Sequence, residues 1–265
     1  MVEEGYRAFS GKVMIKPLLK TQNICKAFGG IIASDNLSLE VMTGQIHAII
    51  GPNGAGKTTL INILSGQLLP DSGEIMFDDK IITRLRPSKR ANLGLARSFQ
   101  ITSIFPDFST LDNVVFSILA RSAHNFRFWR PTNNDDRLSI PALEILDRIG
   151  LGARAEVIAG NLAHGEKRQL EIAMALATQP KMLLLDEPMA GMGAEESQTM
   201  ISLLNELKSD FTMLLIEHDM DAVFALADQI TVLVYGRDIA SGVPSDIRAN
   251  EEVRAAYLGH HEEIT

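Results

Sequence analysis

A glycine-rich run of eight residues constrains this chain more than any other part of its sequence. It follows the pattern G-x-x-x-x-G-K-T, in which glycines allow successive backbone N–H groups to point towards one anion. The lysine suits the β and γ phosphates, and the threonine hydroxyl suits Mg²⁺. The run comprises Gly51, Pro52, Asn53, Gly54, Ala55, Gly56, Lys57 and Thr58. It predicts a site for the phosphates of a nucleoside triphosphate.

The segments on either side of this loop support that interpretation. Residues 45–50 read as a short buried strand, and residues 59–64, starting at Thr59, read as a helix. A helix that begins directly after the loop directs its positive N-terminal dipole at the bound anion. The alternative is a glycine-rich turn that binds nothing. The strand before the loop and the helix after it favour the phosphate site.

Two further strands end in residues suited to phosphoryl chemistry. Residues 182–187 are apolar up to Asp186 and Glu187, as expected of a strand buried in a parallel sheet. Asp186 is a candidate Mg²⁺ ligand, and Glu187 a candidate general base for an attacking water. Residues 211–216 form a similar strand followed by Glu217 and His218, and His218 is a candidate contact of the γ-phosphate. Taken alone, Asp186 and Glu187 could instead form an ordinary acidic turn, and His218 could be an ordinary surface histidine.

The net charge, the cysteine count and the distribution of apolar residues restrict the classes of protein to which this chain can belong. The chain has 265 residues, a net charge of −8 and a single cysteine, Cys25. An acidic chain is a poor match for nucleic acid, which requires a basic face. One cysteine cannot form an intramolecular disulfide, which fits a reducing compartment. With no run of 18 apolar residues and no apolar signal segment, the chain is expected to stay in the cytoplasm.

The order of elements predicts an α/β fold. Strands are predicted over 19–25, 36–42 and 74–77, and a short helix over 87–93. A helix with a capping-box start follows Ser109, residues 121–140 form a break, and helices cover 141–149 and 166–178. From Lys181, strands and helices alternate, which predicts a parallel sheet. The break, with Arg127 and Trp129, is interpreted as a surface loop, with binding to nucleic acid or a membrane subunit as the alternative.

Taken together, the motifs resemble those of the ATP-binding subunit of ABC transporters, from residue ~18 to residue ~258. Phe28 matches the aromatic residue that stacks on adenine, Gln100 the Q-loop glutamine, and His218 the switch histidine. Residues 190–193 lie at the D-loop. The signature motif corresponds to Leu162, Ala163, His164, Gly165 and Glu166.

The resemblance implies a fold, a set of boundaries and a site. The fold is a P-loop NTPase core with a mixed or parallel sheet, an N-terminal antiparallel β part and an inserted helical subdomain. Residues 1–17 would be an extension, 18–100 and 179–258 the ATPase core, 101–178 the helical subdomain and 259–265 a tail. ATP and Mg²⁺ would be bound. Catalysis would involve Glu187, His218, Gln100 and Lys57. The metal ligands would be Thr58, Gln100 and Asp186. Nucleotide contacts would come from Phe28, residues 51–59 and the signature residues 162–166.

Two departures from the family pattern affect the interface between subunits. The usual signature is Leu-Ser-Gly-Gly-Gln, whereas Ala163, His164 and Glu166 occupy its serine, first glycine and glutamine positions. The D-loop usually ends in Leu-Asp, and here it ends in Met192 and Gly193. These changes would make the two ATP sites of a dimer unequal. Alternatively, they are subfamily variation without functional cost, because backbone N–H groups carry much of such anion binding.

Within the family, the sequence is most similar to the larger ATPase of importers for branched-chain amino acids, urea or short amides. The runs that carry this resemblance are 28–33, 96–100, 161–166, 186–192 and 256–259. The main alternative is the ATPase of a lipopolysaccharide- or lipid-extracting system, which shares the Tyr-Leu-Gly tail. A nucleic-acid or ribosome clamp and a small-molecule P-loop kinase fit less well.

The importer resemblance implies several partners. A second ABC ATPase subunit would form a homo- or heterodimer with this chain, and two transmembrane permeases would dock on it. A solute-binding protein would act indirectly, and nucleic acid would not take part. The chain would then lie peripherally on the cytoplasmic face of the inner membrane.

Overall fold

The computed structural model describes residues 16–97, 104–121 and 135–258. Within these ranges the chain forms strands β1 (Pro17–Phe28), β2 (Ile31–Met42), β3 (Ile46–Ile50), β4 (Ser72–Phe77), β5 (Lys80–Ile81), β6 (Leu95–Arg97), β7 (Met182–Asp186), β8 (Thr212–Ile216), β9 (Gln229–Val234) and β10 (Arg237–Gly242). The helices are α1 (Lys57–Ser65), α2 (Pro87–Asn92), α3 (Thr110–Arg121), α4 (Asp136–Arg148), α5 (His164–Ala177), α6 (Ala194–Leu207), α7 (Met220–Leu226), α8 (Pro244–Ala249) and α9 (Glu251–Leu258).

The strands form two sheets. One is antiparallel, in the order β2-β1-β4-β5. The other has the order β10-β9-β3-β8-β7-β6, and its strands are parallel except for β10, which pairs antiparallel with β9. The predicted α/β class, with an antiparallel part near the N-terminus, is confirmed.

The parallel sheet is covered on both faces, which explains its uninterrupted apolar strands. Alternate side chains of β7 enter different cores: Leu183 and Leu185 pack with the helices α3 to α6, whereas Leu184 packs with α1 and the antiparallel sheet. A third, smaller core joins β9 to α7, α8 and α9. Each of the strands β3, β7 and β8 has five residues, and all of them are buried. The carboxyl ends of these strands are therefore held rigidly beside one another.

The boundaries that differ from the sequence prediction by more than two residues lie at the tip of the N-terminal hairpin and at the start of α4. Strand β1 continues to Phe28 and strand β2 already begins at Ile31. The residues at the tip of this hairpin still pair with one another, although they show no alternation of burial. The predicted break at 121–140 is too long, since α4 begins at Asp136. The Asp135 side chain accepts the backbone N–H of Arg137 at 3.2 Å and so caps a helix that runs through Pro141.

The three helices α3, α4 and α5 pack on one another, and in the chain they lie between β6 and β7. None of the helices in the described ranges combines the length and apolar character needed to cross a membrane.

Candidate nucleotide-binding site

The loop between β3 and α1 is shaped by glycines that have no room for a side chain. A Cβ atom at Gly51 would lie 2.2 Å from the carbonyl oxygen of Leu233 on β9. A Cβ at Gly56 would lie 2.2 Å from the carbonyl oxygen of Ala33 on β2, and the φ of Gly56 is +102°. The loop is thus pressed between both sheets in a curled conformation, as the glycine pattern predicts.

Lys57, the first residue of α1, folds back over this loop. Its Nζ donates hydrogen bonds to the carbonyl oxygens of Gly51, at 2.6 Å, and Pro52, at 3.0 Å. Burial lowers the pKa of the Lys57 ammonium, and the nearby carboxylates of Glu187 and Asp186 oppose that shift. The charge of Lys57 therefore lies in the loop, where a phosphate oxygen could replace the carbonyls as its acceptor.

Asp186 lies at the carboxyl end of β7 and is almost fully buried. Its Oδ2 accepts a hydrogen bond from the guanidinium of Arg97 at 2.9 Å, with side-chain exposures of 7% for Arg97 and 1% for Asp186. Its Oδ1 is buried and has no hydrogen-bond partner among the described residues. Burial raises the pKa of Asp186, and Arg97 opposes that rise. A buried carboxylate oxygen without a donor is the kind of atom that binds a divalent cation, so these residues fit Mg²⁺.

Glu187 follows in a strained backbone conformation, with φ at +48°. Its N–H donates to the carbonyl of Ile216 at 2.9 Å, which fixes the residue to the end of β8. Its side chain is 31% exposed, and its Oε1 lies 4.0 Å from Nδ1 of His218, which is 63% exposed. The fold therefore brings together the predicted base and the predicted histidine, both reachable from solvent. Non-glycine residues held at positive φ are frequent at functional sites.

Glu217 is a buried carboxylate to which sequence reasoning gave no role. Its Oε1 accepts the N–H of Met189 at 2.9 Å, and its Oε2 accepts the N–H of His218 at 3.2 Å. Burial raises the pKa of Glu217, and these hydrogen bonds oppose the rise. Glu217 thereby joins the loop after Glu187 to the backbone of His218. Its place directly after β8, matching that of Glu187 directly after β7, was the available signal.

Phe28 lies at the end of β1, on the hairpin whose Ala33 touches Gly56. Its side chain is 51% exposed, and Nζ of Lys26 lies 5.5 Å from its ring centroid. An exposed aromatic ring on a hairpin that packs against the phosphate loop is available for stacking on a flat ligand.

The signature residues lie at the start of α5, which follows directly on Ala163. The carboxylate of Glu166 accepts the N–H of Ala163 at 2.9 Å and the Nε–H of Arg154 at 2.8 Å. Nε2 of His164 lies 3.0 Å from the carbonyl oxygen of Ala190. Leu162 is buried in the core of the helical block, and Gly165 packs against Glu196 of α6. Glu166 therefore closes the first turn of α5 in the manner of half a capping box.

Several predicted features lie outside the described residues. These are Gln100, which is within 98–103, and Arg127 and Trp129 with most of their loop, within 122–134.

A groove of about 310 Å³ runs beside Arg97, bordered by residues of α2, β6, α3 and α5. Apolar walls come from Ala91, Ala96 and Met174. Glu171 also faces this groove. One of its carboxylate oxygens is paired with Arg168 at 3.0 Å, and the other, Oε1, is buried and has no hydrogen-bond partner within the part of the chain that the structure describes. Burial raises the pKa of Glu171, and Arg168 opposes that rise.

Comparison with known proteins decides the family. Residues 34–190, which include the phosphate loop, Asp186 and Glu187, match the family described as ABC transporter. The chain belongs to this family. A second match, over residues 239–263, is to the family described as branched-chain amino acid ATP-binding cassette transporter. The predicted family is thereby confirmed, and with it an ATPase role.

Named relatives of this ABC ATPase align over almost its whole length. It is 38% identical over 253 residues to the high-affinity branched-chain amino acid transport ATP-binding protein LivG of Escherichia coli, covering 93% of this chain and 99% of that protein. It is 37% identical over 253 residues, with the same coverage, to BraF of Pseudomonas aeruginosa, which carries the same description.

Solved structures of ABC cassettes have the same fold. A nucleotide-free ATP-binding cassette from an ABC transporter superposes with a TM-score of 0.81 at 32% identity, covering 91% of this chain and 98% of the other. The ADP conformation of an ATP-binding cassette gives a TM-score of 0.82 at 33% identity, covering 92% and 99%.

Proposed function

We propose that this ABC ATPase powers an importer for branched-chain amino acids or closely related amino acids and amides. The observation that carries the proposal is the match of residues 239–263 to the branched-chain amino acid cassette family, a segment that lies beyond the phosphate loop and the catalytic acids. The alignment with LivG over nearly the full length of both proteins supports it.

In this proposal ATP lies on the loop between β3 and α1. Lys57 exchanges its loop carbonyl acceptors for phosphate oxygens, and the N-terminal N–H groups of α1 point at the same anion. The exposed ring of Phe28 stacks on the adenine. Thr58, Asp186 and Gln100 would hold Mg²⁺. When bound, the ion would neutralise part of the negative charge of the phosphates.

Hydrolysis is proposed to begin at Glu187. Its carboxylate accepts a proton from the attacking water as the water oxygen bonds to the γ-phosphorus and the bond from that phosphorus to the oxygen retained by ADP breaks. His218, 4.0 Å from that carboxylate, orients the water or Glu187. The strained backbone of Glu187, fixed to Ile216, holds the carboxylate in place before the substrate arrives. Proton transfer is then a local step within a preorganised site.

Two such subunits are proposed to face each other head to tail, so that each ATP also contacts the start of the partner's α5. Ala163 has no hydroxyl to offer there. The first-turn N–H groups and the dipole of α5 remain available to the phosphate, and Glu166 holds this turn together through the N–H of Ala163. Closure of the dimer would be a population shift driven by ATP.

The groove beside Arg97 is the proposed dock for a cytoplasmic segment of the permease. It separates the proposed core, 18–100 and 179–258, from the proposed helical subdomain, 101–178, so a segment seated there would follow their relative movement. The unpaired Oε1 of Glu171 calls for a hydrogen-bond donor on that segment, among apolar side chains that match Ala91 and Met174. In the proposed assembly this chain pairs with a second ABC ATPase subunit and docks on two permeases, and a solute-binding protein acts indirectly. The ATPase lies on the cytoplasmic face of the inner membrane, and nucleic acid takes no part.

The test of the catalytic assignment is Glu187→Gln. We expect ATP binding within about twofold of wild type and ATP hydrolysis lower by about 10²- to 10⁴-fold, because the general base is lost. Binding is measured by calorimetry and hydrolysis by phosphate release. Glu195→Gln, an exposed acid in the first turn of α6, is the matched control and should hydrolyse normally. Normal turnover by Glu187→Gln would refute the assigned base.

A further inference from the structure

His164 departs from the usual signature motif, and its side chain points back into its own chain. It is the first residue of α5, and its Nε2 lies 3.0 Å from the carbonyl oxygen of Ala190. A carbonyl oxygen can only accept, so the imidazole donates through Nε2–H. Gly191, the next residue of that loop, leaves room for the ring: a Cβ there would lie 3.2 Å from Nε2.

Ala190 is itself bonded to the proposed catalytic base. Its N–H donates to the carbonyl oxygen of Glu187 at 3.1 Å. Two hydrogen bonds in series therefore join the side chain of His164, through the peptide groups of Ala190, to the backbone of Glu187.

The same loop is held at two further points. Glu217 accepts the N–H of Met189, and Glu196 of α6 accepts the N–H of Gly193 at 3.2 Å. Glu196 also touches Gly165, since a Cβ at Gly165 would lie 3.0 Å from its Oε1. The loop from Met189 to Gly193 thus has fixed contacts with α5, with α6 and with the end of β8. A displacement of the start of α5 must be transmitted to it or break one of these bonds.

We infer that His164 is a positioning residue that couples the two ATP sites of the dimer. Because such a role presupposes ATP hydrolysis at an interface between two subunits, it rests on the proposed function. In the proposed dimer the start of α5 contacts the ATP held by the partner, whereas Glu187 acts on the ATP held by this chain. His164 connects these two regions within one subunit, so occupancy of one site sets the position of the base in the other.

The test compares two substitutions in the transporter complex purified through the tagged full chain. His164→Gln keeps an N–H donor near the position of Nε2, and His164→Leu removes it while keeping an apolar side chain. We expect His164→Leu to lower kcat for ATP about 3- to 10-fold, the factor expected for one lost hydrogen bond, and to bring the Hill coefficient close to 1. ADP affinity should stay within about twofold. His164→Gln should retain most of both the rate and the cooperativity.

Two results would overturn the coupling role. One is a His164→Leu complex with wild-type kcat and Hill coefficient. The other is a His164→Gln complex as impaired as His164→Leu, which would show that the donor is not what matters. Since His164 is exposed, both variants should melt within about 2 °C of wild type. If the wild-type complex itself fails to hydrolyse ATP above the level of Lys57→Ala, the proposed function fails rather than the role of His164.

Discussion

Arg97→Met is the perturbation that most directly tests how Asp186 is held. Arg97 donates from one terminal nitrogen to the side-chain oxygens of Asn62, Ser65 and Gln67, at 2.6, 3.1 and 3.0 Å, and from the other to Asp186. With 7% and 1% exposure, this is a buried ion pair. Removing one partner of such a pair leaves an uncompensated charge and costs about 3–5 kcal/mol.

That cost should appear as a loss of unfolding free energy, measured by urea denaturation followed by circular dichroism in EDTA without nucleotide. In a chain of this size it corresponds to a fall in Tm of roughly 6–20 °C. Asp186→Asn should restore part of the loss in the double variant Arg97→Met/Asp186→Asn, because the unpaired charge is gone. We expect a coupling energy of about 2–3 kcal/mol from the double-mutant cycle.

The pH dependence of the unfolding free energy provides a second test of the ion pair between Arg97 and Asp186. Burial raises the pKa of Asp186 in the folded chain, so Asp186 binds a proton more readily in the folded chain than in the unfolded chain. The unfolding free energy contributed by Asp186 therefore falls as pH rises from its ordinary pKa through the raised one. Arg97→Met should enlarge that fall and extend it to higher pH, and Asp186→Asn should abolish it. A loss below about 1 kcal/mol in Arg97→Met, or additive effects within about 0.5 kcal/mol, would refute this account of the site.

Three further predictions concern the loop and the core. Lys57→Ala should weaken ATP binding about 10- to 100-fold in calorimetry, the range for a charge-assisted hydrogen bond; unchanged affinity would contradict the phosphate site. Gly56→Ala should lower Tm by at least about 5 °C, because its Cβ would meet the Ala33 carbonyl, while Gly30→Ala, with nothing within 4 Å, should be neutral; equal melting of the two would contradict the packing. Burial lowers the pKa of His47 from 6.5 to about 4, so the folded chain resists protonation of this residue. As the pH falls from 6.5 to about 4, the unfolding free energy of wild type should therefore drop by about 3 kcal/mol more than that of His47→Gln. Parallel pH profiles for these two proteins would contradict the buried, neutral state of His47.

The phosphate loop and the strands around it could be predicted because each follows from local chemistry. Glycine spacing determines the curl of residues 51–58, and strands without polar alternation indicate a sheet covered on both faces, as β7 and β8 prove to be. The inserted helices were predictable from apolar periodicity. Two features were not: β6 has three residues, too few for any pattern, and the start of α4 at Asp136 depends on a local side-chain hydrogen bond from Asp135, five residues before the proline at which the helix was predicted to begin.

What the sequence leaves open are contacts between distant residues. The pairing of Arg97 with Asp186 spans 89 positions, and that of His164 with Ala190 spans 26. Neither has a local signal, since an arginine before a Q-loop or a histidine in a signature motif is compatible with many partners. Glu217 could be suspected from its place after β8, but only the fold reveals that its two oxygens serve Met189 and His218.

The measurement that tests the central claim most directly is affinity purification of the tagged chain from gently solubilised native membranes, with mass spectrometry of the proteins recovered. We expect two polytopic permeases and a second, shorter ABC ATPase in stoichiometric amounts. Recovery of a homodimer with membrane proteins of a lipopolysaccharide- or lipid-extracting system, or of no membrane protein at all, would contradict the proposal that this ATPase drives amino acid import.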